Sequence, residues 1–133
     1  MLKAYQKEPH YKGLEFELAF AYNALNKFDE AVPVLEKAIK NEPKNAFFHR
    51  ELGYAFIHTN QVEKAEKAYR KGIEVSKRDE VKAEMAINMT QSYFKIRNRK
   101  KFDEWAKLTK KYAPDNSQFS QYIDMFEKEW DKK

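Results

Sequence analysis

Residues 12–45 of the chain read KGLEFELAFAYNALNKFDEAVPVLEKAIKNEPKN, and residues 46–79 repeat their pattern as AFFHRELGYAFIHTNQVEKAEKAYRKGIEVSKRD. The two stretches align without a gap. A separation of 34 residues relates five pairs of residues: Leu18 and Leu52, Tyr22 and Phe56, Ala31 and Ala65, Leu35 and Tyr69, and Pro9 and Pro43. Self-similarity at a fixed period of this size predicts stacked units that bury their apolar faces against one another.

The shared residues resemble the tetratricopeptide repeat, whose pattern is aromatic-x2-Leu-Gly-x2-Tyr, then Ala-x3-Phe, then Pro. The first repeat matches this pattern at Leu18, Ala19, Tyr22, Ala31, Leu35 and Pro43. The second matches it at Leu52, Gly53, Phe56, Ala65 and Tyr69, while Lys77 stands in the place of the proline. The resemblance implies an all-α superhelix of antiparallel helix-turn-helix repeats, a tetratricopeptide-like solenoid that serves as a protein-binding scaffold.

Each repeat is expected to consist of two antiparallel helices, and small residues mark the place where they cross. Ala19 and Gly53 are small on the first helix of each pair, and Ala31 and Ala65 are small on its partner. A chain with only 3 glycines and 4 prolines builds few turns, which favours helix. Pro33 falls inside a predicted helix, where it removes a backbone donor, and we expect it to form an exposed, mild kink near the helix start.

A third repeat follows with a distortion. Met89 and Tyr93 follow Leu52 and Phe56 at a separation of 37 residues instead of 34. This difference predicts three additional residues near positions 78–82.

The next helix can be aligned with the repeat pattern in two ways, which we call frames. The sequence KFDE at residues 101–104 copies an earlier KFDE, and this frame puts Trp105 where an alanine is expected. Counting back from Pro114 puts Phe102 there instead. We favour the KFDE frame, which makes residues 97–101 an enlarged loop. In either frame a bulky aromatic replaces a small residue, so this helix pair must splay or shift.

Both ends of the chain deviate from the repeat. Residues 1–10 read as the second helix of a repeat whose first helix is missing. The C-terminal segment carries an apolar stripe at helical spacing, formed by Phe119, Tyr122, Ile123, Phe126 and Trp130. Its other face is polar, as expected for a cap. We predict a single domain composed of a half repeat at 1–11, repeats at 12–45, 46–79 and 80–116, and a capping helix at 117–133.

Helical geometry leaves one face of each first helix outside the core. Successive residues rotate by about 100°, so residues two apart face nearly opposite sides. In the family that the chain resembles, this face lines a concave groove that binds peptides or partner helices. The predicted groove and its flanking polar residues are Phe16, Phe20, Asn23, Phe47, Arg50, Tyr54, His58, Ile87, Gln91, Phe94 and Lys95. The alternative is that a neighbouring helix covers the aromatic side chains.

A second class of function follows from the charge distribution. The net charge is +5, and residues 95–111 contain eight basic and two acidic residues. Clustered Lys and Arg bind polyanions by releasing counterions. The candidate residues are Arg97, Arg99, Lys100 and Lys101. The ligand would be an acidic protein surface or a nucleic acid, with nucleic acid the weaker candidate of the two.

Catalysis, cofactor binding and membrane insertion are not expected. The chain has no cysteine, and its 3 histidines lack the spacing of metal ligands. No HExxH sequence, phosphate-binding glycine loop or nucleophile elbow occurs. No apolar run approaches the roughly 20 residues that cross a bilayer. We predict a cytoplasmic protein, if the chain is complete, that uses no cofactor and binds another protein or peptide. A homodimer through the N-terminal half repeat is an open alternative.

Overall fold

The computed structural model describes residues 12–113 and 118–131, with the side chains of residues 17–113 and 118–130. These residues form seven helices: α1 (Lys12–Ala24), α2 (Phe28–Asn41), α3 (Ala46–His58), α4 (Val62–Val75), α5 (Asp79–Lys95), α6 (Arg99–Tyr112) and α7 (Gln118–Asp131). No strand occurs among the described residues. The prediction of an all-α fold is confirmed. The half repeat at 1–11 and Pro114 lie outside the described residues.

The helices belong to two compact units, Met1–Val75 and Ser76–Lys133. In the first unit α1 packs on α2, and α3 packs on α1, α2 and α4. In the second unit α5, α6 and α7 pack on one another. The predicted repeat boundaries stay predictions: the pairs α1–α2 and α3–α4 each fall inside one predicted repeat, and the pair α5–α6 begins one residue before the predicted repeat at 80–116.

One turn geometry joins the two helices of every pair. The middle residue of each three-residue turn has a left-handed backbone, with φ of 61° at Asn26, 60° at Asn60 and 61° at Arg97. The next backbone N–H then donates to the carbonyl of an aromatic residue five positions earlier, at Tyr22, Phe56 and Tyr93. These bonds, 2.8, 2.8 and 3.0 Å long, close the helix end in the Schellman arrangement.

This turn decides the phase of the third helix pair. Arg97 occupies the position of Asn60, and α6 begins at Arg99. The expected enlarged loop at residues 97–101 is therefore wrong. Phe102 follows Arg97 by five residues, as Ala65 follows Asn60, so Phe102 takes the alanine position and the KFDE frame is wrong. The position of the backbone turn therefore determines which residues of α6 correspond to those of α4. The KFDE sequences at residues 27–30 and 101–104 do not occupy equivalent positions in their helix pairs.

The three additional residues of the third repeat lengthen a helix. α5 has 17 residues where α3 has 13, and the connection before it is one residue shorter than the one before α3. Residues 79–82 precede the position that corresponds to Ala46 and form an additional first turn of α5. The predicted location near residues 78–82 is confirmed.

The helices of the first unit meet where the sequence predicts small residues. A Cβ atom on Gly53 would lie 2.8 Å from Cε1 and Cζ of Tyr69, whose ring is fully buried. Ala31, Leu35 and Ala65 are fully buried as well. Pro33 lies inside α2 and is exposed, as expected.

The core of the second unit is built differently. Phe102 and Trp105 are both fully buried, although the equivalent positions in α4 hold the alanines of the first unit. The hydroxyls of Thr90 and Thr109 lie 3.3 Å apart between α5 and α6. Ile123 of α7 is fully buried in the same core. Bulky aromatics on α6 thus occupy core positions that alanines occupy on α4.

We predict that Gly53→Leu lowers the free energy of unfolding by about 2–3 kcal/mol, because the added side chain overlaps the buried ring of Tyr69. The control is Glu63→Leu on the exposed face of α4, which should change stability by less than about 0.5 kcal/mol. Urea denaturation followed by circular dichroism measures both variants, and equal midpoints would contradict the assigned crossing.

A double-mutant cycle tests the same contact more sharply. Gly53→Ala alone should destabilise, although alanine favours helix by about 1 kcal/mol over glycine. Combined with Tyr69→Leu, it reproduces the residues that the first helix pair has at these positions, Ala19 and Leu35. We expect a favourable coupling of about 1 kcal/mol between the two substitutions. Additive effects would show that Gly53 and Tyr69 do not constrain one another.

Candidate functional site

Large apolar side chains project to solvent from α1 and α3 in the first unit. Phe20 is 53% exposed, and Phe47 and Tyr54 are each 38% exposed. Leu18 and Leu52, two residues away on the same helices, are buried. We call the surface formed by Phe20, Phe47, Arg50, Tyr54 and His58 the aromatic face. The predicted exposure of Phe20, Phe47 and Tyr54 is confirmed, and the side chain of Phe16 lies outside the described residues.

Arg50 places a cation within the aromatic face. Its guanidinium lies 4.9 Å from the centre of the Phe47 ring, within the range of a cation–π contact. Its Nη2 atom is also 3.2 Å from Oε2 of Glu51, a buried carboxylate. The two contacts hold the half-buried guanidinium beside the ring.

Asn23 was predicted to flank the groove, and the structure corrects this interpretation. The side chain is only 3% exposed. Its Nδ2 donates to the backbone carbonyl of Glu51 at 3.1 Å and to Oε1 of Glu51 at 3.0 Å. Asn23 therefore links α1 to α3 beneath the aromatic face and is not available to a partner. The reason is the close packing of α1 on α3, which brings together two residues 28 positions apart in sequence.

Three rings form a cluster at one edge of the aromatic face. The His58 ring stacks on Phe28, with centroids 4.8 Å apart and an interplanar angle of 8°. Tyr54 contacts His58 at 4.4 Å and Phe28 at 6.0 Å. Phe28 was not among the predicted site residues. Its apolar character at the first position of α2, directly after a turn, was the signal that could have identified it.

In the second unit, much of the predicted groove is covered. Ile87 is 4% exposed and belongs to the core, which corrects its assignment to the groove. Phe94 is half-buried, because α7 packs its aromatic residues over it: the ring centroids of Phe126 and Trp130 lie 4.7 and 5.2 Å away. Gln91 is half-buried, and Lys95 is exposed. The alternative of cover by a neighbouring helix therefore holds for Phe94.

The same helix engages part of the basic segment. The guanidinium carbons of Arg97 and Arg99 lie 5.3 and 5.4 Å from the centre of the Trp130 ring. Arg99 also pairs with Asp103 at 3.1 Å. Lys100 is exposed and Lys101 is half-buried. Two of the four predicted polyanion ligands thus contact α7.

The described side chains include no group of three His, Asp or Glu residues that could hold a metal ion. Among the described residues, every helix is too short or too polar to cross a membrane.

Known proteins resemble this chain both in the sequence of the repeat and in the fold. Residues 24–86 match the tetratricopeptide repeat family. Twenty-six chains of solved structures match this chain, among them "MamA RS-1 ArsTM double mutant", with a TM-score of 0.72 at 17% sequence identity. The alignment covers 83% of this chain and 60% of that one, so this chain spans less than two thirds of that structure. No curated protein sequence matches. The family match identifies residues 24–86 as tetratricopeptide repeat sequence, and together with the shared fold it supports assignment of the chain to the tetratricopeptide repeat family.

Proposed function

We propose that this chain is a scaffold that binds a peptide or a helix of another protein on the aromatic face. Tetratricopeptide repeats support a role in protein–protein interaction. The observation that carries the finer proposal is the exposure of Phe20, Phe47 and Tyr54 together on α1 and α3. Contiguous exposed apolar patches on folded proteins usually mark interaction sites.

The composition of the aromatic face suits a binding site. Aromatic residues and arginine are enriched among the few residues that supply most of the energy of protein interfaces. Here the Arg50 guanidinium stacks on Phe47, and Tyr54 presents a hydroxyl together with its ring. A partner with one or two large apolar side chains would bury these rings, and its polar groups could bond to the hydroxyl of Tyr54 and the imidazole of His58.

The ion pair of Arg50 indicates which kind of partner the aromatic face would bind. Its charge is balanced by Glu51 at 3.2 Å, so the face holds no isolated cation for a terminal carboxylate. Apolar contact, with a few hydrogen bonds at its edge, should therefore supply most of the affinity. The family is one of non-catalytic scaffolds, and no catalytic role is part of the proposal.

We predict that Phe20→Ala combined with Phe47→Ala abolishes binding while leaving the melting temperature nearly unchanged, because exposed rings contribute little to the core. Peptides selected from a displayed random library against the unmodified chain serve as the probe. Truncation of each ring at the centre of an interface costs about 2 kcal/mol or more of binding energy.

The matched control for this pair is Phe48→Ala. Phe48 neighbours Phe47 in sequence but is buried, so its truncation should cost about 3–5 kcal/mol of stability. Retained binding by the Phe20→Ala and Phe47→Ala variant would contradict the aromatic face as the site. If that variant lost several kcal/mol of stability, both rings would be core residues.

Sedimentation tests the alternative of a homodimer. If a second copy occupies the aromatic face, the full chain sediments as a dimer and deletion of residues 1–10 returns it to a monomer. A full chain that is monomeric at all accessible concentrations would contradict that occupant and would leave the face to a different protein.

Binding of a polyanion is a second candidate function, favoured by the exposure of Lys100 and Lys107 seven residues apart on one face of α6. Lys100→Gln with Lys107→Gln should reduce retention on a heparin column without affecting stability. Arg97→Gln with Arg99→Gln should instead lower the free energy of unfolding by about 1 kcal/mol, because it removes two cation–π contacts to Trp130. Unchanged heparin retention in the lysine variant would contradict this function.

A further inference from the structure

A cleft of about 640 Å³ opens between α2 and α4 in the first unit. These two helices do not pack on one another among the described residues, and α3 forms the floor between them. We call it the α2–α4 cleft. Its lining residues are Asp29, Val32, Pro33, Glu36 and Ile39 from α2, His49, Leu52 and Phe56 from α3, and Gln61, Lys64, Lys67, Ala68 and Lys71 from the start and body of α4.

The floor of the cleft is apolar and continuous. His49, Leu52 and Phe56 follow one another at i, i+3 and i+7, so they form one stripe along α3. The polar end of His49 is already engaged, since its Nε2 atom lies 2.8 Å from the carbonyl oxygen of Pro43. An occupant would therefore meet carbon atoms along the floor.

The α2 wall is also apolar at its centre. Val32 and Ile39 are half-buried, and Pro33 is exposed inside the helix. A proline at this position costs α2 a backbone hydrogen bond and does not fill the core. Its ring instead presents apolar surface to the cleft, which gives this unusual residue a place in a binding surface.

Charges of opposite sign line the two rims. Asp29 and Glu36 lie seven residues apart on α2, and Lys64, Lys67 and Lys71 lie on one face of α4. All five are exposed. Among the described residues, no ion pair joins the acidic rim to the basic rim, and Lys71 pairs with Glu74 of its own helix at 3.4 Å. Lys64 extends over the floor, with its Nζ atom 5.8 Å from the centre of the Phe56 ring, and the side chains of Asp29, Glu36 and Lys67 are exposed along the rims.

We propose that the α2–α4 cleft binds an amphipathic helix of a partner protein. The wall from Asp29 to Ile39 extends for about 15 Å, the length of about three helical turns. The partner's apolar stripe would lie on the floor, as in other helix-in-groove complexes. Its acidic flank would face the three lysines, and its basic flank would face Asp29 and Glu36. The proposal is independent of the aromatic face.

Three synthetic helical peptides of about 14 residues test the proposal by fluorescence anisotropy. They share one leucine stripe and differ in their flanks: one has Glu on one flank and Lys on the other, one has Lys on both, and one has Glu on both. We expect the mixed peptide to bind the unmodified chain at least about tenfold more tightly than the other two, because only it matches both rims.

Charge reversal of either rim should switch this preference. Lys64→Glu with Lys71→Glu makes both rims acidic and should favour the peptide with Lys on both flanks. Asp29→Lys with Glu36→Lys makes both rims basic and should favour the peptide with Glu on both flanks. The control for the lysine variant is Lys77→Glu with Lys128→Glu, two exposed lysines of the second unit, which makes the same change in net charge and should keep the original preference.

Two independent variants keep the test decisive if one of them folds poorly. Equal affinity of the mixed peptide for the unmodified chain and for the cleft variants would overturn the proposal, and so would the failure of all three peptides to bind. Loss of mixed-peptide binding in the Phe20→Ala and Phe47→Ala variant would place the peptide on the aromatic face. That result would overturn the cleft as the site while supporting the proposed function of the aromatic face.

Discussion

The close contact between Gly53 and the ring of Tyr69 is the constraint on which the first unit depends. Because a Cβ atom at position 53 would lie 2.8 Å from the ring, the side of α3 that carries Gly53 must face Tyr69 for the two helices to approach this closely. Because the rotation of α3 is fixed, Leu52 must face inward and Tyr54 outward. The same pair of positions recurs in each helix pair with residues of different size: Ala19 and Leu35, Gly53 and Tyr69, and Thr90 and Ala106. The aromatic face is thus a consequence of how the helices cross.

In the helix pair α5–α6 the larger residue of the two lies on the first helix, at Thr90, and the smaller one on the second helix, at Ala106. Ala106 is small where Tyr69 is large, and its neighbours Phe102 and Trp105 supply the missing volume from the next positions on α6. The Phe102 ring also reaches α7, where the centroids of Phe126 and Trp130 lie 6.3 and 5.8 Å from its own. A face that is open on α3 is therefore partly covered on α5.

The sequence was sufficient to predict features that depend on local spacing. The period of 34 residues predicted the helix pairs, and the position of Leu52 predicted that Tyr54 is exposed. Features that depend on contacts between helices were not predictable in this way. Asn23 is polar and adjacent to the exposed face, and only the packing of α1 on α3 shows that it is bonded to Glu51. Ile87 was misassigned for the same reason.

α3 serves both surfaces that are proposed as binding sites. Phe47, Arg50 and Tyr54 project to the aromatic face, whereas Leu52 and Phe56 belong to the floor of the α2–α4 cleft. The two sets share no residue, because positions two apart on a helix differ by about 200° in direction. The surfaces also differ in chemistry. The aromatic face presents large rings with a balanced charge, and the cleft presents an apolar floor between rims of opposite charge. Apolar side chains alone would suffice for a ligand of the first, but a ligand of the second must also carry the matching charges on its two flanks.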